Sequence, residues 1–122
     1  MENHGGEPQK LAGKEFYILF WELTGKQGDR REFYPAHIAY GASLEADGRL
    51  MGAGPFLDES GAPDGRGMFI LRVGSRAEAH EIAKADPFYV AGFRTYRLEA
   101  WRRNEGSFTL TVNVGANRVT MN

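Results

Sequence analysis

The segment from Phe16 to Trp21 constrains the fold of this 122-residue chain more than any other. Its six residues, FYILFW, are all apolar or aromatic, and a short run of this composition is typical of a buried strand. Alternate residues of a strand lie on opposite faces, so both faces of this strand are apolar. Such a strand needs cover on both faces, whereas a single layer of helices covers only one.

The residues after a Gly-containing loop at 25–28 indicate a helix. Pro35 suits the first helical turn, where its missing N–H costs nothing, and Gly48 suits the position just after the last turn. The residues between these two positions repeat at helical spacing, which predicts one buried stripe made of Phe33, His37, Tyr40 and Leu44.

Further strands and a second helix follow. Residues 50–53 and 68–73 read as strands, with Gly54-Pro55 ending the first and a turn-rich loop over 58–67. The sequence from Ser75 to Glu78 matches a capping box and begins a second helix that ends before Pro87. Residues 94–101 read as a fourth strand. The buried stripe of the second helix is predicted to contain Ala79, Ile82, Ala83 and Asp86.

The element order βαββαβ favours an α+β, ferredoxin-like fold. Right-handed crossovers turn this order into a four-stranded antiparallel sheet with both helices on one face. The other face is then open, although the first strand is apolar there too. A second copy packing sheet against sheet would cover it, since twofold homodimers are common. The C-terminal strand folding back and a different partner are the alternatives.

Three parts of the chain are distinguished by pattern. Residues 1–14 lack apolar periodicity and are expected to form a flexible N-terminal tail, residues 15–104 form the domain, and residues 105–122 form a C-terminal extension. In the extension, residues 107–114 alternate polar and apolar, which predicts one extra, half-buried strand. We expect this strand to add to a sheet at or across the dimer interface, on an apolar surface contacted by Phe108, Leu110, Val112 and Val114.

Composition argues against several classes of function. The formal net charge of -1 gives no support to binding of nucleic acid or of an anionic membrane. The chain has no cysteine, which excludes disulfides and thiolate sites and fits a cytoplasmic protein. No apolar run is long enough to span a bilayer, and no glycine-rich phosphate motif is present. We therefore expect no cofactor, and too few ligands cluster for a metal site.

Two polar residues are predicted to meet at one end of the fold. If the first strand runs upward, the first helix begins at the top, the second strand ends there and so does the second helix. His37 and Asp86 then lie at the same end, near Gly54-Pro55, each on a stripe that faces the sheet. Because a carboxylate on an apolar face needs a partner, His37 is the expected partner of Asp86.

Four short motifs in order resemble the YCII-related family: Pro35-Ala36-His37-Ile38-Ala39, Gly48-Arg49-Leu50, Ala53-Gly54-Pro55, and Ala85-Asp86-Pro87-Phe88 with Gly92. The resemblance covers roughly residues 15 to 103. It implies a ferredoxin-like fold, dimers of the dimeric α/β barrel type, and an active site formed by His37 and Asp86. The family often has an arginine three residues before this histidine, where this sequence has Tyr34.

The sequence supports two hypotheses about function. In the first, the protein is a cofactor-independent enzyme of isomerase or lyase type, with His37 as general acid/base and Asp86 orienting it. The resemblance points the same way, because related dimeric barrels include muconolactone isomerases and dehydrochlorinases. In the second, the protein binds a small organic ligand without chemistry. Candidate substrate-binding residues, each of which could instead be structural, are Tyr34, Tyr40, Gly54, Pro55 and Phe88.

Overall fold

A computed structural model describes residues 12–121, which divide into two units. The larger unit, residues 15–102, carries a four-stranded sheet in the order β2-β3-β1-β4 and confirms the predicted α+β, ferredoxin-like arrangement. A single 3-10 turn at Arg30–Phe33 precedes the first helix. The elements are β1 Lys14–Leu23, α1 Tyr34–Ala46, β2 Leu50–Leu57, β3 Pro63–Leu71, α2 Arg76–Lys84, α3 Pro87–Val90 and β4 Arg94–Arg103.

The pairing of β1 with its two neighbours sets the register of the sheet. Strand β1 runs antiparallel to β3, with Leu19 opposite Phe69. On the other side, the N–H of Thr24 donates to the carbonyl of Phe93 at 3.0 Å, where β1 ends and β4 begins. Arg102, near the end of β4, pairs with Glu15 near the start of β1. Strands β1 and β4 are therefore antiparallel as well.

The core lies between the two longer helices and one face of the sheet. Leu19 and Trp21 of β1 are buried there together with Leu44 of α1. Helix α2 adds Ala79, Ile82 and Ala83, which are the apolar members of its predicted stripe. Both helices contribute to this one cluster, so they cover the same face of the sheet, as the sequence predicts.

The opposite face of the sheet is partly covered within the single chain. Phe16 and Ile18 of β1 are only 5% and 9% exposed. Phe20 stacks against Phe56 with ring centroids 6.5 Å apart and rings nearly parallel, at 9°. Apolar and aromatic side chains thus line this face, as the pattern of β1 predicts. The homodimer predicted from this face stays a prediction.

The hairpin between β2 and β3 is longer than the sequence indicates. The prediction that Gly54-Pro55 ends the second strand is wrong, because β2 continues to Leu57 and Pro55 lies opposite Gly67. The second half of the predicted loop at 58–67 belongs to β3, which begins at Pro63. Proline is tolerated here because β2 is an edge strand, where a missing N–H need not break a ladder bond.

The second helix begins as predicted and ends early. The hydroxyl of Ser75 accepts a hydrogen bond from the N–H of Glu78 at 3.1 Å, so the cap predicted from the sequence is present. Helix α2 ends at Lys84, and Asp86 lies beyond it as the N-cap of α3. Asp86 is therefore held by a second, short helix that the sequence analysis does not predict.

The smaller unit contains residues 103–121 and the described end of the N-terminal segment. The strand predicted over residues 107–114 is present as the shorter β5 Leu110–Asn113, and a second strand that the sequence does not predict, β6 Arg118–Met121, pairs with it in a separate antiparallel hairpin. Val112 lies opposite Val119, and their side chains are 64% and 62% exposed. The tail predicted at 1–14 falls mainly outside the described residues.

None of the helices within residues 12–121 combines the length and the apolar character needed to cross a membrane.

Candidate active site

His37 lies in the first turn of α1, which begins with Tyr34 and Pro35. Its Nδ1 is 2.7 Å from Oδ2 of Asp86, a residue 49 positions away in sequence. The side chain of Asp86 is fully covered, and that of His37 is 12% exposed. The contact predicted from helical phase and topology is therefore present.

Both oxygens of the Asp86 carboxylate have partners. While Oδ2 faces His37, Oδ1 accepts the N–H of Phe88 at 2.9 Å and caps α3. The carbonyl of Asp86 accepts the N–H of Val90, also at 2.9 Å. A carboxylate fixed by two bonds in different directions holds the imidazole in one orientation, which is the usual role of a second group behind a histidine.

Aromatic rings enclose the imidazole of His37. Its ring centroid is 4.8 Å from that of Phe88 and 5.8 Å from that of Phe69, with the Phe69 ring nearly parallel to it. Tyr34 lies 6.4 Å from both His37 and Phe88, measured between ring centroids. These contacts leave the imidazole few other orientations.

His37 forms part of the wall of an open cleft of about 590 Å³ between α1 and the β2–β3 edge of the sheet. This volume is in the range of sites for small organic ligands. Five residues proposed from the sequence line the cleft: Tyr34, His37, Gly54, Pro55 and Phe88. Asp86 lies behind this wall, in contact with His37.

Comparisons with known proteins agree with this geometry. A sequence model described as the YCII-related domain matches residues 15–102. The chain belongs to the YCII-related family. Its relatives include the uncharacterized protein YjpA of Bacillus subtilis strain 168, 31% identical over 86 residues, which are 70% of this chain and 93% of YjpA.

A solved structure of the same kind is that of the 5-chloro-2-hydroxyhydroquinone dehydrochlorinase TftG from Burkholderia phenoliruptrix AC1100. It was determined in complex with 2,5-dihydroxybenzoquinone. The two chains are 26% identical with a TM-score of 0.54, over 70% of this chain and 92% of TftG. The similarity supports the assignment of this YCII-related domain to small-molecule enzymes.

Tyr40 is the one proposed binding residue that does not line the cleft. Its hydroxyl donates to the carbonyl of Ile82 at 2.8 Å, which ties α1 to α2. Burial raises the pKa of Tyr40, and the charge of Asp86 adds to this shift. Tyr40 therefore packs the two helices together, because its position on α1 is one turn beyond His37 and faces α2.

The sequence analysis missed the arginines of the cleft. Arg30, Arg66 and Arg94 all line it, as does Trp21. Arg66 lies in a segment that the sequence predicts to be a loop, and Arg30 lies between the predicted loop at 25–28 and the first helix. Arg94 begins β4, and only the register of β4 against β1 shows which face it occupies. A sign of this role was available in the sequence, since alternation puts Arg94, Tyr96 and Leu98 on one face.

The cleft lacks the ligand set of a metal centre, because no group of three or more His, Cys, Asp or Glu side chains occurs within residues 12–121. With Nδ1 facing Asp86, Nε2 is the ring nitrogen of His37 left for other contacts, and it has no hydrogen-bond partner among the described residues. An imidazole in this position can accept and return a proton.

Proposed function

We propose that this YCII-related protein is a cofactor-independent enzyme that moves protons on a small organic molecule. One observation carries the proposal: the Nδ1 of His37 lies 2.7 Å from a fully buried carboxylate, at the wall of a cleft large enough for such a molecule. In this proposal His37 is the general acid/base, and Asp86 orients it and stabilises its charged form.

The proposed reaction begins when His37 takes a proton from a carbon next to a carbonyl group. The C–H electron pair then forms a carbon–carbon double bond, and the carbonyl oxygen becomes an enolate. If His37 returns the proton to another carbon, the result is isomerisation. If a leaving group departs with its bonding pair, the result is elimination. Both outcomes need one proton acceptor and no redox partner.

The relationship to TftG supports a substrate of this class. That protein is named as a dehydrochlorinase, and its ligand is a small ring that carries hydroxyl and carbonyl groups. We propose that this chain acts on a small oxygenated ring, held against Tyr34 and Phe88 on one side and Gly54 and Pro55 on the other. The absence of a side chain on Gly54 lets a flat ring approach the strand closely.

A homodimer is part of the proposal. Strand β1 is apolar on both faces, and Phe20 and Phe56 lie on the face away from the helices. A second copy packed on this face would cover these rings. A specific dimer of this kind buries at least about 1,000 Å² in total.

The test is hydrogen exchange together with chloride release. Wild-type protein in D₂O is mixed with 2,5-dihydroxybenzoquinone, and loss of the ring-hydrogen signal is followed by proton NMR. Chloride release from 5-chloro-2-hydroxyhydroquinone is measured in parallel. We expect catalysis of at least one of these reactions, and a loss of at least ~100-fold in His37→Gln, as is usual for a general acid/base.

His80→Gln is the matched control. His80 is also partly buried, and its Nδ1 is 2.5 Å from the hydroxyl of Tyr96, but it does not line the cleft. The rate of His80→Gln should stay within about twofold of wild type, since it removes no acid/base group of the cleft. Equal rates in His37→Gln and wild type would refute the proposal, and binding without turnover would favour a ligand-binding protein.

A further inference from the structure

Four arginines line the cleft, and two of them already have ion-pair partners. Arg31 pairs with Asp29 at 2.9 Å, and Arg66 pairs with Asp64 at 2.7 Å. The remaining two are Arg30 and Arg94, and neither makes a hydrogen bond or ion pair with any residue between 12 and 121. The cleft therefore has two positive charges without a direct partner.

Arg94 lies against Phe88 because of the register between β1 and β4. The Thr24–Phe93 bond places Trp21 opposite Tyr96, so Arg94 lies on the same face as Trp21, one pair further along. The guanidinium of Arg94 lies 4.6 Å from the ring centroid of Phe88, whose ring is 4.8 Å from that of His37. A single aromatic ring thus contacts both the imidazole and the guanidinium.

This end of the cleft has more hydrogen-bond donors than acceptors. The Nε of Arg94 and the Nε1 of Trp21 are both buried without an acceptor among the described residues. Asp86 accepts no hydrogen bond from either of them, and its two oxygens face His37 and the N–H of Phe88 instead. The carboxylate that lines the cleft, Glu45, is eight residues beyond His37 on α1, which is about 12 Å along the helix.

The charge of Arg94 is costly in this position. Burial lowers the pKa of Arg94, and the neighbouring charge of Arg30 acts in the same direction, while the charge of Asp86 opposes the shift. A guanidinium is partly removed from water here and lacks an acceptor among the described residues. Buried charges of this kind normally meet an opposite charge, so a ligand is the remaining source of one.

We propose that the Arg94 end of the cleft, together with Arg30, binds an anionic oxygen of the substrate. The substrate is then a small ring with a carboxylate or an ionised enol or phenol, bound with that oxygen on Arg94 and with a neighbouring carbon at His37. This inference rests on the proposed function, because it specifies the substrate of the same cleft. It also gives Arg94 a role in the reaction, since a fixed cation stabilises negative charge that grows on the enolate.

Three probe ligands separate the effect of ligand charge on affinity from the effect of ligand shape. The first is 2,5-dihydroxybenzoquinone, whose hydroxyl groups are vinylogous acids and are ionised at neutral pH, and the second is its dimethyl ether, which cannot ionise. The third is 2,5-dihydroxybenzoate, which tests a carboxylate as the source of the charge. Dissociation constants are measured by calorimetry with the full chain at low and high salt. We expect at least one anion to bind ~10- to ~100-fold more tightly than the ether, as for a hydrogen bond to a charged group.

Arg94→Gln should abolish this preference and leave binding of the ether unchanged. Because Arg94 makes no hydrogen bond within the described residues and its partly buried charge is costly, the variant should have a thermal midpoint no lower than that of wild type, which excludes a merely structural role. Arg97→Gln is the matched control, since Arg97 belongs to the same strand but pairs with Glu99 and does not line the cleft. It should keep the full preference for the anion.

The preference for anionic probes can be measured independently of turnover, because His37→Gln removes the proton acceptor but keeps Arg94 and Arg30. Retention of the anion preference in His37→Gln would support the inference even if the proposed chemistry failed. Equal affinity of wild type for the anions and the ether, or absence of binding by all three, would overturn it. Proton transfer on neutral substrates together with equal affinities would overturn this inference alone and leave the proposed function in place.

Discussion

Behind the wall of the cleft a carboxylate side chain is completely covered, whereas in the C-terminal hairpin apolar side chains are exposed. Asp86 has no exposed surface and uses both carboxylate oxygens, one of them on a residue 49 positions away. Val112 and Val114 are 64% and 86% exposed. The comparison shows that the cleft wall has its polar partners within residues 15–102, while the apolar side chains of the hairpin lack cover among the described residues.

The largest loss of stability is expected from removal of the buried carboxylate of Asp86. Asp86→Ala leaves the N–H of Phe88 buried without its acceptor and removes the cap of α3 and the partner of His37. The free energy of unfolding should fall by about 3 kcal/mol. Urea denaturation of wild type and of Asp86→Ala measures this change in the free energy of unfolding. In the hairpin, Asn113→Ala should change this free energy by less than about 0.5 kcal/mol, because Asn113 is exposed.

Asp86→Asn refines this test. An amide oxygen can still accept the N–H of Phe88, so the loss of stability should be smaller than in Asp86→Ala. A loss in Asp86→Ala no larger than in Asn113→Ala would mean that the buried contacts of the carboxylate do not stabilise the fold.

The second prediction concerns cover for the hairpin. Leu110 and Val112 lie on one face of β5, opposite Met121 and Val119 of β6. If this face packs in the homodimer, the double variant Leu110→Ser/Val112→Ser should weaken dimerisation at least ~10-fold, since two buried apolar side chains are lost. Sedimentation equilibrium gives the dissociation constant. The control Thr111→Ala/Asn113→Ala, on the other face, should dimerise like wild type.

Unchanged dimerisation in the serine variant would place the hairpin outside the dimer interface. A wild-type protein that sediments as a monomer throughout the accessible concentration range would contradict the homodimer itself, and the apolar face of β1 would then be covered in another way.

The two regions also differ in what sequence alone could establish. Helical phase is local and places His37 on the buried stripe of α1, and topology decides which element ends meet. The contact between His37 and Asp86 could therefore be predicted, although Asp86 lies beyond α2 and not on its stripe. Alternation in residues 107–114 correctly indicates extended chain, but it contains no information about the partner strand. The pairing of β5 with β6 depends on a turn that returns the chain to Arg118, and the residues from Arg118 onward are too few to show a periodic pattern.

Edge position and register were likewise inaccessible. Pro55 reads as a strand terminator, yet it lies within β2 because the partner strand is on one side only. Arg94 reads as the start of a strand, and its place in the cleft follows only once β4 is aligned with β1. Both features depend on pairing between distant segments, which a single sequence does not specify.

The third prediction uses the other histidine contact, between His80 and Tyr96. Tyr96→Phe removes one hydroxyl from a partly buried pair, and burial already raises the pKa of this phenol. The free energy of unfolding should fall by about 1 kcal/mol. Turnover should be unchanged, because Tyr96 does not line the cleft. A loss of turnover similar to that of His37→Gln would show that the two histidine contacts are not functionally distinct.

The smallest effect on stability is expected from removal of Asp58, an exposed carboxylate that is the counterpart of the buried Asp86. Asp58 closes the turn between β2 and β3, where its Oδ1 accepts the hydroxyl of Ser60 at 2.6 Å and the N–H groups of Ser60 and Ala62 at 2.9 and 3.1 Å. The Ser60 hydroxyl, followed by the two N–H groups, lowers the pKa of Asp58 below its ordinary value of 3.8. Its contribution to stability is therefore present above the unfolded pKa and is lost as pH falls through the folded pKa.

Thermal midpoints of wild type and Asp58→Ala should accordingly differ most above about pH 4 and converge below it, because protonation removes the charge that the turn stabilises. The difference should be small, since the group is exposed and its charge is screened. Glu59→Ala is the control, because Glu59 is the neighbouring carboxylate and makes no hydrogen bond within residues 12–121. A difference that does not change with pH would show that Asp58 acts in the turn through its uncharged form as well as through its carboxylate.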